Sequence, residues 1–148
     1  MQRSGLILLT LLTSSFTFAG SGIEIHKPYA RAMPPSAPAS AVFMTLKNNA
    51  SQDRAIISAS TPAAGKVELH DHIMDGDVMK MRQIPEIVIP ANGKTVLKPG
   101  SLHIMLFELQ QTFTEGEEIE VTVNYKNGQS QTFTAPVVKV MKGMKMKH

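Results

Sequence analysis

The segment Glu118-Ile119-Glu120-Val121-Thr122-Val123-Asn124-Tyr125 alternates polar and apolar side chains without a break. Successive side chains of a β-strand point to opposite faces, so this pattern predicts a strand with one face in the core and one in water. Asn127-Gly128 follows it, and both residues tolerate the positive φ angles of a tight hairpin turn. Residues 131–138 are therefore predicted to return beside the first strand and complete a hairpin.

The rest of the chain consists of short apolar runs separated by turn residues, with no long helical period. The predicted strands cover residues 23–30, 41–47, 54–60, 66–72, 78–84, 86–89, 95–98, 102–109, 118–125 and 131–138. Many short strands at such spacing are typical of an antiparallel sandwich or barrel. The sequence therefore predicts one all-β domain.

The first nineteen residues are organised like a secretory signal peptide. Arg3 supplies a positive charge, residues 6–12 an apolar stretch, and Thr17-Phe18-Ala19 a small-x-small cleavage site. The apolar stretch is too short to span a bilayer, although a retained membrane anchor is the alternative. We expect cleavage near Ala19, an exported soluble protein without stable membrane insertion, and a mature domain over residues 20–138.

The chain contains no cysteine, which excludes a disulfide framework and any thiolate site for blue copper, zinc or an iron–sulfur cluster. A soft-metal ligand must therefore be methionine or histidine.

The formal charge is +3, but residues 139–148 hold four lysines and no acidic residue. Residues 20–138 hold 10 basic and 12 acidic side chains, a balance of −2. This body gives no indication of a nucleic-acid-binding surface.

The strand at residues 102–109 carries candidate metal ligands. Alternation places His103 and Met105 on one face, while Leu102, Ile104 and Leu106 point to the other, apolar face. An imidazole beside a thioether suits a soft metal ion that also accepts nitrogen, and Cu(I) fits best. We expect the His/Met face to carry the chemistry and the apolar face to lie in the core.

A second group of donors lies in a predicted hairpin that turns at residues 75–77. His70 and His72 share a face of its first strand, and Met79 and Met81 share a face of its second. The His103 strand would complete a ligand set if it packs beside this hairpin. A single methionine is usually core filler, as we expect for Met44, and a single histidine is usually solvated or already hydrogen-bonded.

The spacing of four of these residues resembles the signature of the PCu(A)C-type periplasmic copper chaperones. His70 is followed after ten residues by Met81, after twenty-one more by His103, and after one more by Met105. The resemblance covers most of the predicted mature chain and rests on residues 29–31, 41–46, 67–70, 79–82, 97–100 and 103–106. It implies a periplasmic, cupredoxin-like antiparallel β-sandwich of Greek-key type that binds one Cu(I) through those four side chains.

The resemblance also implies delivery of copper to cuproproteins, notably the binuclear copper centre of cytochrome c oxidase or its assembly factors. We expect a monomer that is not an enzyme. Storage of copper for resistance at the same site is the nearest alternative, and a metal-free interaction module is a more distant one. A copper monooxygenase of this class needs an amino-terminal histidine, whereas the predicted mature chain starts at Gly20. Imidazole must be neutral to coordinate, so copper affinity should fall as pH drops through the histidine range.

Two features differ from, or add to, the family pattern. Many relatives carry a methionine directly after the first ligand histidine, whereas this chain has Asp71, with His72 and Met74 nearby as extra donors. Residues 139–148 form a tail that is either a solvated basic segment or a second site favouring Cu(II). The donors for such a second site would be Met141, Met144, Met146 and His148, together with His26.

Overall fold

The computed structural model describes residues 22–140. The predicted signal peptide and the Met/His part of the tail lie outside the described residues. Within the described range, ten strands are present and no helix long and apolar enough to cross a bilayer occurs. The strands are β1 Ile23–Arg31, β2 Ala39–Asn48, β3 Arg54–Ser60, β4 Ala64–Asp75, β5 Val78–Gln83, β6 Ile87–Ile89, β7 Lys94–Leu97, β8 His103–Leu109, β9 Glu118–Tyr125 and β10 Ser130–Val138.

All ten predicted strands are found, and the all-β sandwich class is confirmed. The strands are hydrogen-bonded in the order β5-β4-β8-β2-β1-β10-β9-β3-β6, and β7 pairs with β2. β1 and β10 run parallel, with Ala30 opposite Val137, whereas the other paired strands of residues 22–140 are antiparallel. These two strands come from opposite ends of the domain, so no hairpin turn dictates their relative direction.

The core lies between the two halves of this strand order, one of which contains β8 and β2 and the other β9 and β3. Ile104 and Leu106 of β8 and Val121 and Val123 of β9 are all fully buried. Full burial of each such side chain stabilises the fold by about 1.5–3 kcal/mol. Met44 belongs to the same cluster, as expected from its sequence context.

The β4–β5 hairpin extends from one end of this strand order. Gly76 lies in its turn with φ of +65°, a left-handed conformation that glycine adopts without a steric penalty. All six residues of β5 are exposed, so this edge strand lies outside the packed core. The arrangement leaves one face of β4 and β5 open, and the predicted donors lie on that face.

Candidate metal centre

β4 is paired with β5 on one side and with β8 on the other, so the two donor groups predicted from the sequence are neighbours. His70 lies opposite His103 in the β4–β8 pair, and Glu68 lies opposite Met105. In the β4–β5 pair, His72 lies opposite Met81. All of these positions share one face of the three strands, because residues two apart in a strand point the same way.

His103 is held in one tautomer by a backbone contact. Its Nδ1 lies 2.8 Å from the carbonyl oxygen of Ser101, an acceptor to which the ring N–H donates. The neutral ring therefore carries its lone pair on Nε2, which lies 3.3 Å from Sδ of Met81. His103 is 3% exposed. One nitrogen donor and one sulfur donor thus meet at the open face of the sheet.

In His70 the hydrogen-bonded nitrogen is Nε2, whereas in His103 it is Nδ1. Its Nε2 lies 2.7 Å from Oε2 of Glu68, so this nitrogen donates to the carboxylate. Its Nδ1 is buried and has no hydrogen-bond partner among residues 22–140. An unpaired buried nitrogen is costly. A carboxylate that holds the far nitrogen of a histidine is the arrangement found around metal-bound imidazoles, and a soft metal ion on Nδ1 fits this donor set.

Burial is the main factor that favours a neutral imidazole at His103. Burial holds the pKa of His103 below its usual value of 6.5, against the opposing effect of the hydrogen bond to the Ser101 carbonyl. The neighbouring His72 and His70 rings lower this pKa further, and Asp71 raises it. A neutral ring keeps its lone pair available for a metal without first losing a proton.

The carboxyl group of Glu68 has its pKa lowered, mainly by the hydrogen bond from His70. Lys66 contributes to the same effect, with its Nζ 3.3 Å from Oε1 of Glu68. Glu68 is therefore ionised when it accepts the His70 N–H. A charged acceptor strengthens that hydrogen bond and fixes the ring more firmly.

Three of the four predicted ligands line an open cleft of about 220 Å³, namely Met81, His103 and Met105. His70 is not among the cleft-lining residues, but its ring centroid lies 5.7 Å from that of His103. Met81 is 46% exposed, so solvent reaches the donor group from this side. The structure thus brings all four residues to one region, with His70 at its buried side and Met81 at its exposed side.

His72 joins the same cluster, although the predicted four-ligand set does not include it. Its ring centroid lies 5.2 Å from that of His103, and it lines the same cleft. Its Nδ1 lies 3.3 Å from the Ser101 carbonyl oxygen. The sequence signal for this position was the two-residue spacing from His70, which places both rings on one face of β4.

His26 is not among the cleft-lining residues. It lies in β1, opposite Thr45 of β2, and its Nε2 is 3.5 Å from Oε2 of Glu24. The tail residues that were predicted to join it lie outside the described residues, so that hypothesis stays a prediction. Within residues 22–140, no group of three or more His, Asp or Glu side chains is placed to hold a metal ion.

Comparison with known proteins places this chain in a family. The family described as "Putative lipoprotein LpqE-like" matches residues 23–137. A curated relative, the "Putative lipoprotein Lxx21020" of Leifsonia xyli subsp. xyli, is 27% identical over 117 residues, which cover 78% of this chain and 69% of that protein. The "Uncharacterized protein RP573" of Rickettsia prowazekii is 32% identical over 84 residues, or 56% of this chain and 46% of the relative. The chain belongs to the LpqE-like family.

Solved structures share the fold. The copper-bound PCuAC domain from PmoF2 matches with a TM-score of 0.69 at 19% identity, covering 80% of this chain and 94% of that domain. CuI-DR1885 from Deinococcus radiodurans matches with a TM-score of 0.64 at 29% identity, covering 83% and 84%. The apo form of DR1885 matches equally well, at 0.65 and 28%, with 84% of each chain covered. The resemblance to the PCu(A)C-type family that the sequence indicated is therefore confirmed.

Proposed function

We propose that this protein is an exported copper chaperone that binds one Cu(I) through His70, Met81, His103 and Met105. The observation that carries the proposal is the buried, unpartnered Nδ1 of His70, in a ring directly opposite His103. The Nε2 of His103 already faces the thioether of Met81 at 3.3 Å. Two imidazole nitrogens and two thioether sulfurs are donors that a monovalent copper ion prefers.

The two histidines and Met81 have different tasks in this proposal. His70 and His103 are fixed by Glu68 and by the Ser101 carbonyl, so they form the rigid, buried part of the site. Met81 lies on the exposed edge strand β5 and is the ligand that a partner protein reaches first. Because all four ligands are neutral, none has to gain a proton when it is displaced. Copper then passes to the acceptor by stepwise ligand replacement without any change in its charge.

One of the structural relatives supports a copper-binding role. CuI-DR1885 of Deinococcus radiodurans, at 29% identity, is described as a Cu(I)-containing protein. The PmoF2 domain is described as copper-bound, and at 19% identity it supports the fold. The chemistry proposed for this chain rests on its own four donors and their hydrogen-bonded orientation.

The proposed recipients are periplasmic cuproproteins, with the binuclear copper centre of cytochrome c oxidase or its assembly factors as the leading example. The protein carries a metal ion from place to place and needs no catalytic residue for this role. Storage of copper for resistance would use the same site, and the exposure of Met81 favours transfer over storage because a storage site gains from enclosure.

A chelator competition tests the proposal. The protein, kept under reducing conditions, is titrated against a chromogenic Cu(I) chelator, and we expect it to withdraw one tightly bound equivalent. Failure of the wild-type protein to remove Cu(I) from the chelator contradicts the proposal and favours a metal-free interaction module.

In a strain lacking the gene, we expect lower cytochrome c oxidase activity at limiting copper, restored by added copper. Loss of survival at excess copper with normal oxidase assembly indicates storage instead.

A further inference from the structure

The face of the β4–β5 hairpin that carries the candidate ligands continues outward to the turn with two more sulfur donors. Met74 lies opposite Met79, two positions beyond the His72–Met81 pair. Since residues two apart in a strand share a face, these four side chains lie on the same side of the hairpin. Met74 is 62% exposed and Met79 is 56% exposed. The donors therefore form two successive rows, and the outer row is more open to solvent than the inner one.

The opposite face of the same hairpin has a different chemistry. Nζ of Lys80 lies 2.8 Å from Oδ2 of Asp75, and Asp71 lies opposite Arg82. Charged side chains are the usual protection of an exposed edge strand. On the donor face, the two outer positions hold thioethers instead. A single exposed methionine needs no explanation, but two placed opposite each other in line with a candidate copper site form a paired soft-donor position.

We propose that Met74 and Met79 form an outer, weaker Cu(I) site through which copper enters and leaves the inner site. The inference deepens the function proposed above and rests on it. In the transfer step, the bonds from copper to the Met74 and Met79 sulfurs break one after the other as bonds to the Met81 sulfur and to a ring nitrogen of His72 form. The bond to His72 breaks in turn as copper binds His103. Copper remains Cu(I) throughout. No proton moves when thioethers exchange, because a thioether has none to lose.

The spacing of the rows suits such a step. Residues two apart in a strand are separated by about 6.6 Å, which prevents one ion from sitting at the centre of both rows at once. Methionine has three rotatable bonds, so its sulfur can move toward the next row while the backbone stays in place. His72, on the inner row and 5.2 Å from the His103 ring, extends the donor series to the inner site.

A titration with Ag⁺ tests the site directly, because Ag⁺ is a soft monovalent ion that resists oxidation. Full-length protein labelled at the methionine methyl groups is observed by NMR while Ag⁺ is added. We expect the Met81 and Met105 methyl signals to shift with the first equivalent and those of Met74 and Met79 with the second. A second equivalent that shifts only tail methionines, or no methionine, overturns the inference. Absence of any shift at Met81 and Met105 contradicts the proposed function instead.

Transfer kinetics provide an independent test. The double variant Met74→Leu/Met79→Leu removes both sulfurs while keeping apolar side chains of similar size. We expect transfer of Cu(I) to a chelator to slow several-fold, while the equilibrium affinity for the first Cu(I) is unchanged. The matched control is Ile73→Val/Val78→Ile, on the opposite face of the hairpin, which should transfer copper at the wild-type rate. Equal transfer rates for the two variants overturn the inference. Slowing in both variants also overturns the inference, because it indicates that the apolar surface of the hairpin, and not its sulfur donors, affects the transfer rate.

Discussion

Met81 and His103 are separated by 22 positions in the sequence, yet Sδ of the first lies 3.3 Å from Nε2 of the second. They lie on β5 and β8, two strands that are not paired with each other but flank β4 on either side. Their side chains meet over the face of β4 that carries His70 and His72. A pair of donors held by three strands is preorganised, because the metal does not have to bring the segments together.

The first prediction concerns these two residues. Met81→Leu removes a sulfur at an exposed position. His103→Asn keeps an N–H donor near the Ser101 carbonyl but removes the Nε2 atom that faces Met81. We expect each change to weaken Cu(I) binding by at least about 100-fold, since loss of a hydrogen-bonded partner of a ligand alone costs about 10–100-fold. Competition with a chromogenic chelator measures the effect.

Met44→Leu is the control for that experiment, since Met44 is a buried core residue that does not line the cleft. We expect this volume-conserving change to cost less than about 1.5 kcal/mol of stability and to leave Cu(I) affinity unaltered. If both Met81→Leu and His103→Asn bind copper like the wild-type protein, the assigned site is wrong.

The second prediction concerns Glu68, whose carboxylate accepts the Nε2–H of His70 at 2.7 Å. Glu68→Ala frees the ring to rotate and exchange its tautomer, so the lone pair is no longer held on Nδ1. We expect a loss of about 10–100-fold in Cu(I) affinity. Glu24→Ala is the matched control, because Glu24 also lies beside a histidine, His26, but both side chains are half-exposed on β1 and away from the cleft. Equal affinities for the two variants would contradict a ligand-orienting role for Glu68.

The third prediction is a pH dependence of the metal-free fold. Burial holds the pKa of His103 below 6.5, whereas in the unfolded chain this histidine titrates near its usual value. As pH falls through 6.5, the unfolded chain binds a proton that the folded chain does not. Stability therefore falls with falling pH by up to about 1.4 kcal/mol per pH unit, and the loss from this group levels off below the folded pKa.

Denaturant unfolding of wild-type protein and of His103→Asn, over a series of pH values, measures this effect. The variant lacks the titrating ring, so its stability should depend less on pH below the usual histidine value. Glu68 affects stability in a lower pH range. Because its pKa is lowered in the folded protein, its carboxylate contributes stability above pH 4.5, and this contribution is lost as falling pH protonates the carboxylate in the folded state. Parallel curves for wild type and His103→Asn would show that burial does not shift the His103 pKa.

The fourth prediction concerns the tail. Removal of residues 139–148 deletes three methionines and one histidine, donors proposed for a second site. We expect the number of Cu(II) ions bound to fall while the number of Cu(I) ions bound at the first site is unchanged, because Cu(II) prefers nitrogen and oxygen donors. Native mass spectrometry with each ion counts them. An unchanged Cu(II) count after the deletion favours a merely solvated basic tail.

Much of the site could be predicted because the signals are local. Strand alternation predicted that His103 and Met105 share one face and that Ile104 and Leu106 lie in the core. The structure shows this arrangement in β8. Turn residues at 75–77 correctly predicted the hairpin that presents Met81. The partners of the histidine rings could not be predicted in the same way. Whether Glu68 or a backbone carbonyl meets a ring nitrogen depends on side-chain orientation, which strand periodicity does not specify.

The sequence by itself determined which segments become strands, which face of each is apolar, and which donor types are present, because these follow from alternation and turn chemistry between near neighbours. Only the tertiary structure decided that β4 lies between β5 and β8, that β1 and β10 pair in parallel, and that His72 lies opposite Met81. Strand order depends on how remote apolar faces pack into one core, a property of the whole chain. The copper site proposed here depends on both, since local patterns supply its ligands and long-range packing brings them to one region of the sheet.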